Sequence, residues 1–387
     1  MIQSLKTKLL AVSLLLFFTC QKEPITCDVL IYNGTVYDGT GEEPYTGSIG
    51  IKGDKIIYVG KNTRFEADTI IDATNLSVSP GFINMLSWGY SSLMQDGRSL
   101  SDLKQGVTLE IFGEGVSPGP YIKEGERYSF KHAMEALEKS GVSTNIASFL
   151  GATTARIIEV GFDNRPATDD EMLRMKSMVK KAMKEGAMGI GSSLIYAPAD
   201  YAPTEELIEL CKAAAEEGGM YISHMRNEDN QLMEALEELI TISKEANIPS
   251  QIYHLKASRE PNWHLLDTLI ERVEEVRSEG LKITADIYTY NASSTGLTGV
   301  IPTWVQEGGH SAWINRMKDP AVRPRLLADI RAQLEEQPPE DILMVGFNNP
   351  EMSKKYLAKT IAEAALSRGQ SPEETIVDMV IEDNSRI

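Results

Sequence analysis

Apolar and polar positions change rhythm along this chain. From Asp28 to Ala73, short apolar stretches are broken by turn pairs: Val29-Leu30-Ile31-Tyr32 leads to Asn33-Gly34, Ser48-Ile49-Gly50-Ile51 leads to Gly53-Asp54, and Lys55-Ile56-Ile57-Tyr58-Val59 follows. That pattern predicts strands joined by turns, and a small β domain over residues 26–77. From Val78 onward, short apolar runs alternate with amphipathic stretches. The runs are Gly81–Leu86, Val107–Phe112, Asn145–Leu150, Met188–Ser193, Met220–His224, Ser250–Leu255 and Ile283–Tyr288. The stretches between them carry helix signals. Thr168-Asp169-Asp170-Glu171 and Ser371-Pro372-Glu373-Glu374 read as capping boxes, the second with Pro at the first helical position, and Gly186, Gly218 and Gly280 mark helix ends. Strand followed by helix, about seven times over, predicts an α/β fold with a parallel sheet closed as a (β/α)8 TIM-like barrel over residues 78–387.

Composition narrows the class. With 42% hydrophobic and 24% charged residues, the 387-residue chain has a globular balance. Its net charge of −18 excludes a basic face of the kind that grips nucleic acid, so no nucleic-acid partner is expected. Cys20, Cys27 and Cys211 are too few for a disulfide framework. Cys211, in the helical run Glu205–Glu217, reads as a small buried hydrophobe. Lys6 and Lys8 precede a ten-residue apolar run, Leu9–Phe18, too short to span a bilayer as an ordinary helix. The run ends just before Cys20 and resembles a bacterial lipoprotein signal over residues 1–20. That resemblance implies lipidation at Cys20, export to the cell envelope, and membrane contact only through the lipid. A plain secretory signal and an uncleaved anchor are the alternatives.

In a closed barrel, the chemistry sits at the C-terminal ends of the strands. The second barrel strand runs into Gly113-Glu114-Gly115, the fifth into Ser223-His224-Met225-Arg226-Asn227-Glu228, and the sixth into Tyr253-His254-Leu255-Lys256. Two of only five histidines thus close adjacent strands. Neighbouring strands lie about 4.8 Å apart, so both imidazoles reach one ion. A carboxylate from across the mouth, Glu114, supplies a third ligand. Two His and one carboxylate form a recurrent catalytic zinc set with a position left for water. Singly, each signal is weak: a strand-end His is more often a hydrogen-bonded structural residue, and Gly-Glu-Gly also reads as a solvated turn. A cation two residues beyond each His, Arg226 and Lys256, favours a site. His132 reads as a surface residue of the helical run Tyr128–Lys139. His264, in a helix, and His310, in a Gly-rich loop, receive no role.

Taken together, these residues resemble the D-aminoacylase branch of the amidohydrolase superfamily, the N-acyl-D-amino-acid deacylases. The likeness runs from about Asp28 to the end. Its marks are Asp28-Val29-Leu30-Ile31-Tyr32-Asn33-Gly34-Thr35-Val36-Tyr37-Asp38-Gly39, Ser79-Pro80-Gly81-Phe82-Ile83-Asn84, Gly106-Val107-Thr108, and Leu194-Ile195-Tyr196-Ala197-Pro198 with Tyr201-Ala202. Further marks are His224-Met225-Arg226, His254-Leu255-Lys256, and Tyr288-Thr289-Tyr290 with Ser294-Thr295. The resemblance implies a barrel with a small β domain and zinc-assisted hydrolysis of the N-acyl amide bond of N-acyl-D-amino acids. It places metal ligands at His224 and His254, and Glu114 where the branch often has a bridging Cys. It implies a pocket lined by Tyr196, Arg226, Lys256, Tyr288 and Ser294, with the two cations available for the substrate carboxylate. Lys256 also reads as a structural residue facing a neighbouring helix.

Three departures qualify that likeness. Leu86-Ser87-Trp88 stands where the superfamily has His-x-His, which leaves one ion rather than two. Glu for Cys is a harder ligand, so Mn2+ or Fe2+ joins Zn2+ as a candidate. No Ser-Asp-Gly-like strand-eight segment precedes Ile387. The sequence is therefore expected to stop short of the last barrel strand and of the general-base Asp, which leaves the catalytic base unassigned. Two alternatives stand beside the deacylase: another amidohydrolase acting on cyclic or linear amides, and a catalytically silent barrel lipoprotein that binds a small ligand.

Overall fold

The computed structural model describes residues 23–61, 63–385 and 387; the N-terminal segment expected to be a signal, with Cys20, lies outside the described residues. The chain divides into two units, one ending at Phe82 and one starting at Ile83.

The first unit is a sheet of order β3-β2-β1-β4. β1 (Ile25–Val36) pairs antiparallel with β2 (Tyr45–Lys52), which pairs antiparallel with β3 (Lys55–Gly60). β4 (Phe65–Asp72) and the short β5 (Ser77–Val78) run parallel to β1. The sequence expectation of a turn at Asn33-Gly34 is corrected here. β1 continues through that pair to Val36, and the register against β2 shifts between Ile31 and Gly34. Asn33, at φ 60°, supplies the left-handed residue of a bulge rather than of a hairpin. Gly53, at φ 59°, does make the tight turn between β2 and β3, and its N–H donates to Asp28 Oδ2 at 2.6 Å. Cys27 is a buried free thiol on β1.

The second unit is the strand–helix repeat of a (β/α) barrel. Its strands are β6 (Phe82–Asn84), β7 (Val107–Phe112), β10 (Asn145–Ser148), β11 (Leu150–Gly151), β12 (Gly189–Ser193), β13 (Met220–His224), β14 (Ser250–Ile252) and β15 (Ile283–Ala285). A hairpin of β8 (Tyr121–Lys123) and β9 (Glu126–Tyr128) is inserted after β7. β10 and β11 are one strand interrupted at Phe149. Through it the order runs β6-β7-β10 and then β11-β12-β13-β14-β15, so neighbours in sequence are neighbours in space. The pairs β7–β10, β11–β12, β12–β13, β13–β14 and β14–β15 are all parallel.

Side-chain alternation builds two layers. Ile111, Phe149, Ile222 and Tyr253 form one cluster. Their strand neighbours Leu150, Tyr221 and Ile252 face the other way, into a core shared with the helices Asp169–Lys184, Thr204–Ala215 and Leu232–Ala246. Cys211 is fully buried in that second core, as expected. Both anticipated capping boxes are present, and a third occurs at Thr360–Glu363. His310 departs from its loop expectation: it opens the helix His310–Lys318, because Gly308 and Gly309, both at positive φ, make the turn before it. Helices beyond Thr303 hold their own core around Trp313, Leu326, Ile330 and Ile376. Among the described residues, no helix is long and apolar enough to cross a membrane.

One buried ion pair ties the helix layer together. Arg156, on the helix Ala152–Glu159, is 1% exposed and donates from Nη1 to both oxygens of Glu206 at 2.9 and 2.7 Å. Removing one partner strands the other charge out of water. Glu206→Ala is expected to destabilise the unit by about 3–5 kcal/mol, read as a lowered urea midpoint. A loss below about 1 kcal/mol would show that solvent reaches Arg156.

Candidate metal centre

Strand geometry aims the first ligand. His224 ends β13 two residues after Ile222, so it shares that residue's face of the sheet. It is 6% exposed. The second ligand breaks the alternation. Tyr253 shares the cluster of Ile222, which would turn a regular residue 254 away from it. The strand has ended at Ile252, however, and His254 sits at φ 36°. Asp286, just past β15, accepts the His254 N–H at 2.7 Å, and its other oxygen accepts the Gln251 side-chain N–H at 2.7 Å. This grip holds a left-handed backbone that a β-carbon disfavours. The two imidazoles meet edge to face, centroids 4.5 Å apart at 85°.

The third ligand comes from the end of β7. Glu114 lies between Gly113 at φ 105° and Gly115 at φ 67°. A β-carbon on Gly113 would lie 2.4 Å from the Phe149 carbonyl oxygen, so the chain turns inward only with glycine there. The Gly-Glu-Gly segment is thus not a solvated turn: Glu114 is 8% exposed. Its Oε1 lies 3.0 Å from His224 Nδ1 and 3.8 Å from His254 Nε2, while Oε2 accepts the Trp88 indole N–H at 2.7 Å. Donor atoms of Glu114, His224 and His254 all lie within 4.8 Å of one another. Two nitrogens and a carboxylate oxygen, converging from three strand ends, fit a zinc-type ion by donor chemistry.

Around this trio stand groups of both signs. Glu228, in the loop after β13, is 2.9 Å from His254 Nδ1 and 2.6 Å from Lys256 Nζ. Lys256 also lies 2.9 Å from His254 Nδ1. Burial would raise the Glu114 carboxyl, but hydrogen bonds from His224 and His254 outweigh it and hold it at about 2. Burial would likewise lower His254, but hydrogen bonds to Glu114 and Glu228 outweigh that and raise it to about 9. Glu228 is lowered against its own burial by His254, His224 and Lys256. Burial raises Asp286. A metal ion would displace the His254 proton, as ligand binding demands.

The expected pocket residues divide. Tyr196 lies with its ring 5.5 Å from that of His224 and its hydroxyl 2.6 Å from Thr295 Oγ1. Tyr288 has its ring 6.4 Å from that of His254 and 5.9 Å from Lys256 Nζ. Ser294 is exposed beside Thr295. Arg226 is drawn elsewhere: its guanidinium donates to both oxygens of Glu238 at 2.8 Å and to the carbonyls of Asp200 and Ala202 at 3.0 Å. It braces the loop around Asp200 instead of offering a charge to a ligand. Three contributors were missed from sequence: Trp88, Glu228 and Asp286. Glu228 is the most legible of these, an acid four residues beyond a strand-end His.

No family model matches the chain. It is 31% identical over 285 residues to a D-aminoacylase of Alcaligenes xylosoxydans xylosoxydans, a match covering 70% of this chain and 59% of that protein. The chain thus spans about three fifths of the length of that curated relative. Its fold is similar to a D-aminoacylase structure described in terms of a binuclear metal centre with one-metal activation and second-metal attenuation. There the TM-score is 0.71 and the identity 26%, covering 91% of this chain and 70% of that one. The fold is also similar to N-acyl-D-glutamate deacylase from Bordetella bronchiseptica, complexed with zinc and a phosphonate mimic of the tetrahedral intermediate. That match has TM-score 0.73 and 22% identity, covering 92% of this chain and 70% of that one.

The charges of the cluster give a pH signature for chelator-treated protein. Glu114, lowered from 4.5 to about 2, stabilises fully above 4.5 and loses that contribution as pH falls toward 2. His254, raised from 6.5 to about 9, stabilises fully below 6.5 and loses that contribution as pH rises toward 9. Thermal unfolding should therefore show a Tm maximum between 4.5 and 6.5 from this cluster. His254→Gln should abolish the alkaline fall and also shrink the acid one in part, because His254 is one of the two imidazoles that lower Glu114. An unchanged alkaline limb in that variant would assign the fall to other groups.

Proposed function

The chain belongs to the D-aminoacylase branch of the amidohydrolase superfamily, and from that membership we propose that it serves metal-assisted hydrolysis of the N-acyl amide bond of N-acyl-D-amino acids. The observation that carries the reading is the convergence of Glu114, His224 and His254 on one point. A single zinc ion held by these residues would polarise the acyl carbonyl and acidify a bound water. Leu86 and Trp88 offer no further ligand, and the harder Glu114 also admits manganese or iron.

The remaining residues bind and orient. Trp88 engages Glu114 Oε2, which leaves Oε1 as the ligand oxygen. Lys256, the cation that the cluster itself holds, is assigned to the substrate carboxylate, with Tyr288 and Tyr196 as aromatic walls and Ser294 at the rim. Fixing the carboxylate fixes the scissile carbonyl, which is where an oriented site lowers the barrier. Asp286 has both oxygens occupied by His254 and Gln251, so it braces the site and is not assigned as the proton acceptor. On the leader alone, the protein is assigned to the bacterial cell envelope, held through a lipid on Cys20.

Elemental analysis of the purified protein should find a single bound ion, lost in His224→Ala and in His254→Ala. Retention of stoichiometric metal in both variants would remove the ligand assignment. With zinc added, a panel of N-acyl-D- and N-acyl-L-amino acids should release free D-amino acid. Tight ligand retention without turnover would replace the enzyme with a binding barrel.

A further inference from the structure

Glu228 is the most heavily engaged side chain in the cluster to which the proposed reaction gives no task. Its side chain is 9% exposed. Oε1 lies 2.9 Å from His254 Nδ1, and Oε2 lies 3.5 Å from His224 Nε2 and 2.6 Å from Lys256 Nζ. Glu114 faces the other nitrogen of each ring, Nδ1 of His224 and Nε2 of His254. The two nitrogens of an imidazole point to different sides of the ring. The two carboxylates therefore bracket the histidine pair, and an ion shared with Glu114 would face the ring nitrogens turned away from Glu228. His224 Nε2 is buried and has no hydrogen-bond partner, and Glu228 is the acid that faces it.

We propose that Glu228 is a positioning residue that fixes the tautomers of both histidines. With a metal bound, it would accept the Nε2–H of His224 and the Nδ1–H of His254, so that His224 Nδ1 and His254 Nε2, which face Glu114, are the nitrogens left free of protons to ligate. This inference rests on the metal reading above. A neutral imidazole carries one N–H and one lone pair, and the hydrogen bond made by one nitrogen decides which face can ligate. An ionised carboxylate only accepts, so it selects the proton-bearing nitrogen without ambiguity. Lys256 Nζ lies 2.6 Å from Glu228 Oε2 and 2.9 Å from His254 Nδ1; an ammonium only donates, so with Nδ1 protonated its partner is Oε2, which leaves Oε1 to receive the His254 proton. A ring held in the wrong tautomer would present an N–H to the ion.

The test uses the full chain with Zn2+ as probe, its affinity measured by competition with a chromophoric chelator. Loss of an outer partner of this kind weakens metal affinity by about 10–100-fold. Glu228→Ala should show that loss at unchanged circular dichroism, and Glu228→Gln, which keeps one acceptor oxygen, a smaller one. Imidazole 15N spectra of the zinc-loaded protein should place protons on Nε2 of His224 and Nδ1 of His254 in the parent, and scramble that pattern in the variants. A purely structural Glu228 would lower Tm but leave affinity and the nitrogen pattern unmoved. Stoichiometric zinc in the parent, with affinity within about twofold in both variants, overturns this inference and leaves the metal reading standing. Absence of stoichiometric zinc in the parent overturns both. Should Glu228→Ala fail to fold, the isosteric Glu228→Gln carries the same comparison.

Discussion

A carboxylate held ionised out of water is the constraint on which the site depends. A buried charge is tolerated only where partners replace its hydration. Glu114 has three: two imidazoles at Oε1 and an indole N–H at Oε2. Each comes from a different stretch of chain, so satisfying one acid requires β7, β13, the end of β14 and the segment after β6 to arrive in register. The glycines on either side of Glu114 let its backbone turn inward, and the alternation of β13 delivers His224 to meet it.

Charge balance extends the same logic outward. Glu114 and Glu228 face His254, whose pKa, against its burial, they raise to about 9; Glu228 also faces Lys256, and Asp286 adds a third acid against the His254 backbone. Arg226 takes no part in this balance, because Glu238 already neutralises it.

Much of this was legible in the sequence, because the information was periodic or local. The barrel strands were marked by apolar runs at regular intervals, the helix starts by capping boxes, and the two histidines by their place at the ends of consecutive runs. What escaped reading depends on backbone geometry that period alone does not encode. Asn33-Gly34 serves a hairpin or a bulge equally well, and β1 uses it for the bulge. Gly-Glu-Gly reads the same in water as in a core. His254 looks like a simple strand-end residue, yet it faces its partner only through a left-handed twist. Arg226 illustrates the reverse case: the cation stands at a site-like spacing, but long-range partners claim it.

The tether from Asp286 to the His254 backbone has a further consequence. Asp286 stands just beyond β15, which pairs parallel with β14. The second histidine therefore takes its working posture only while those two strands stay zipped together. Their parting would release the imidazole, so the centre doubles as a latch whose closure reports that the strands carrying it have met.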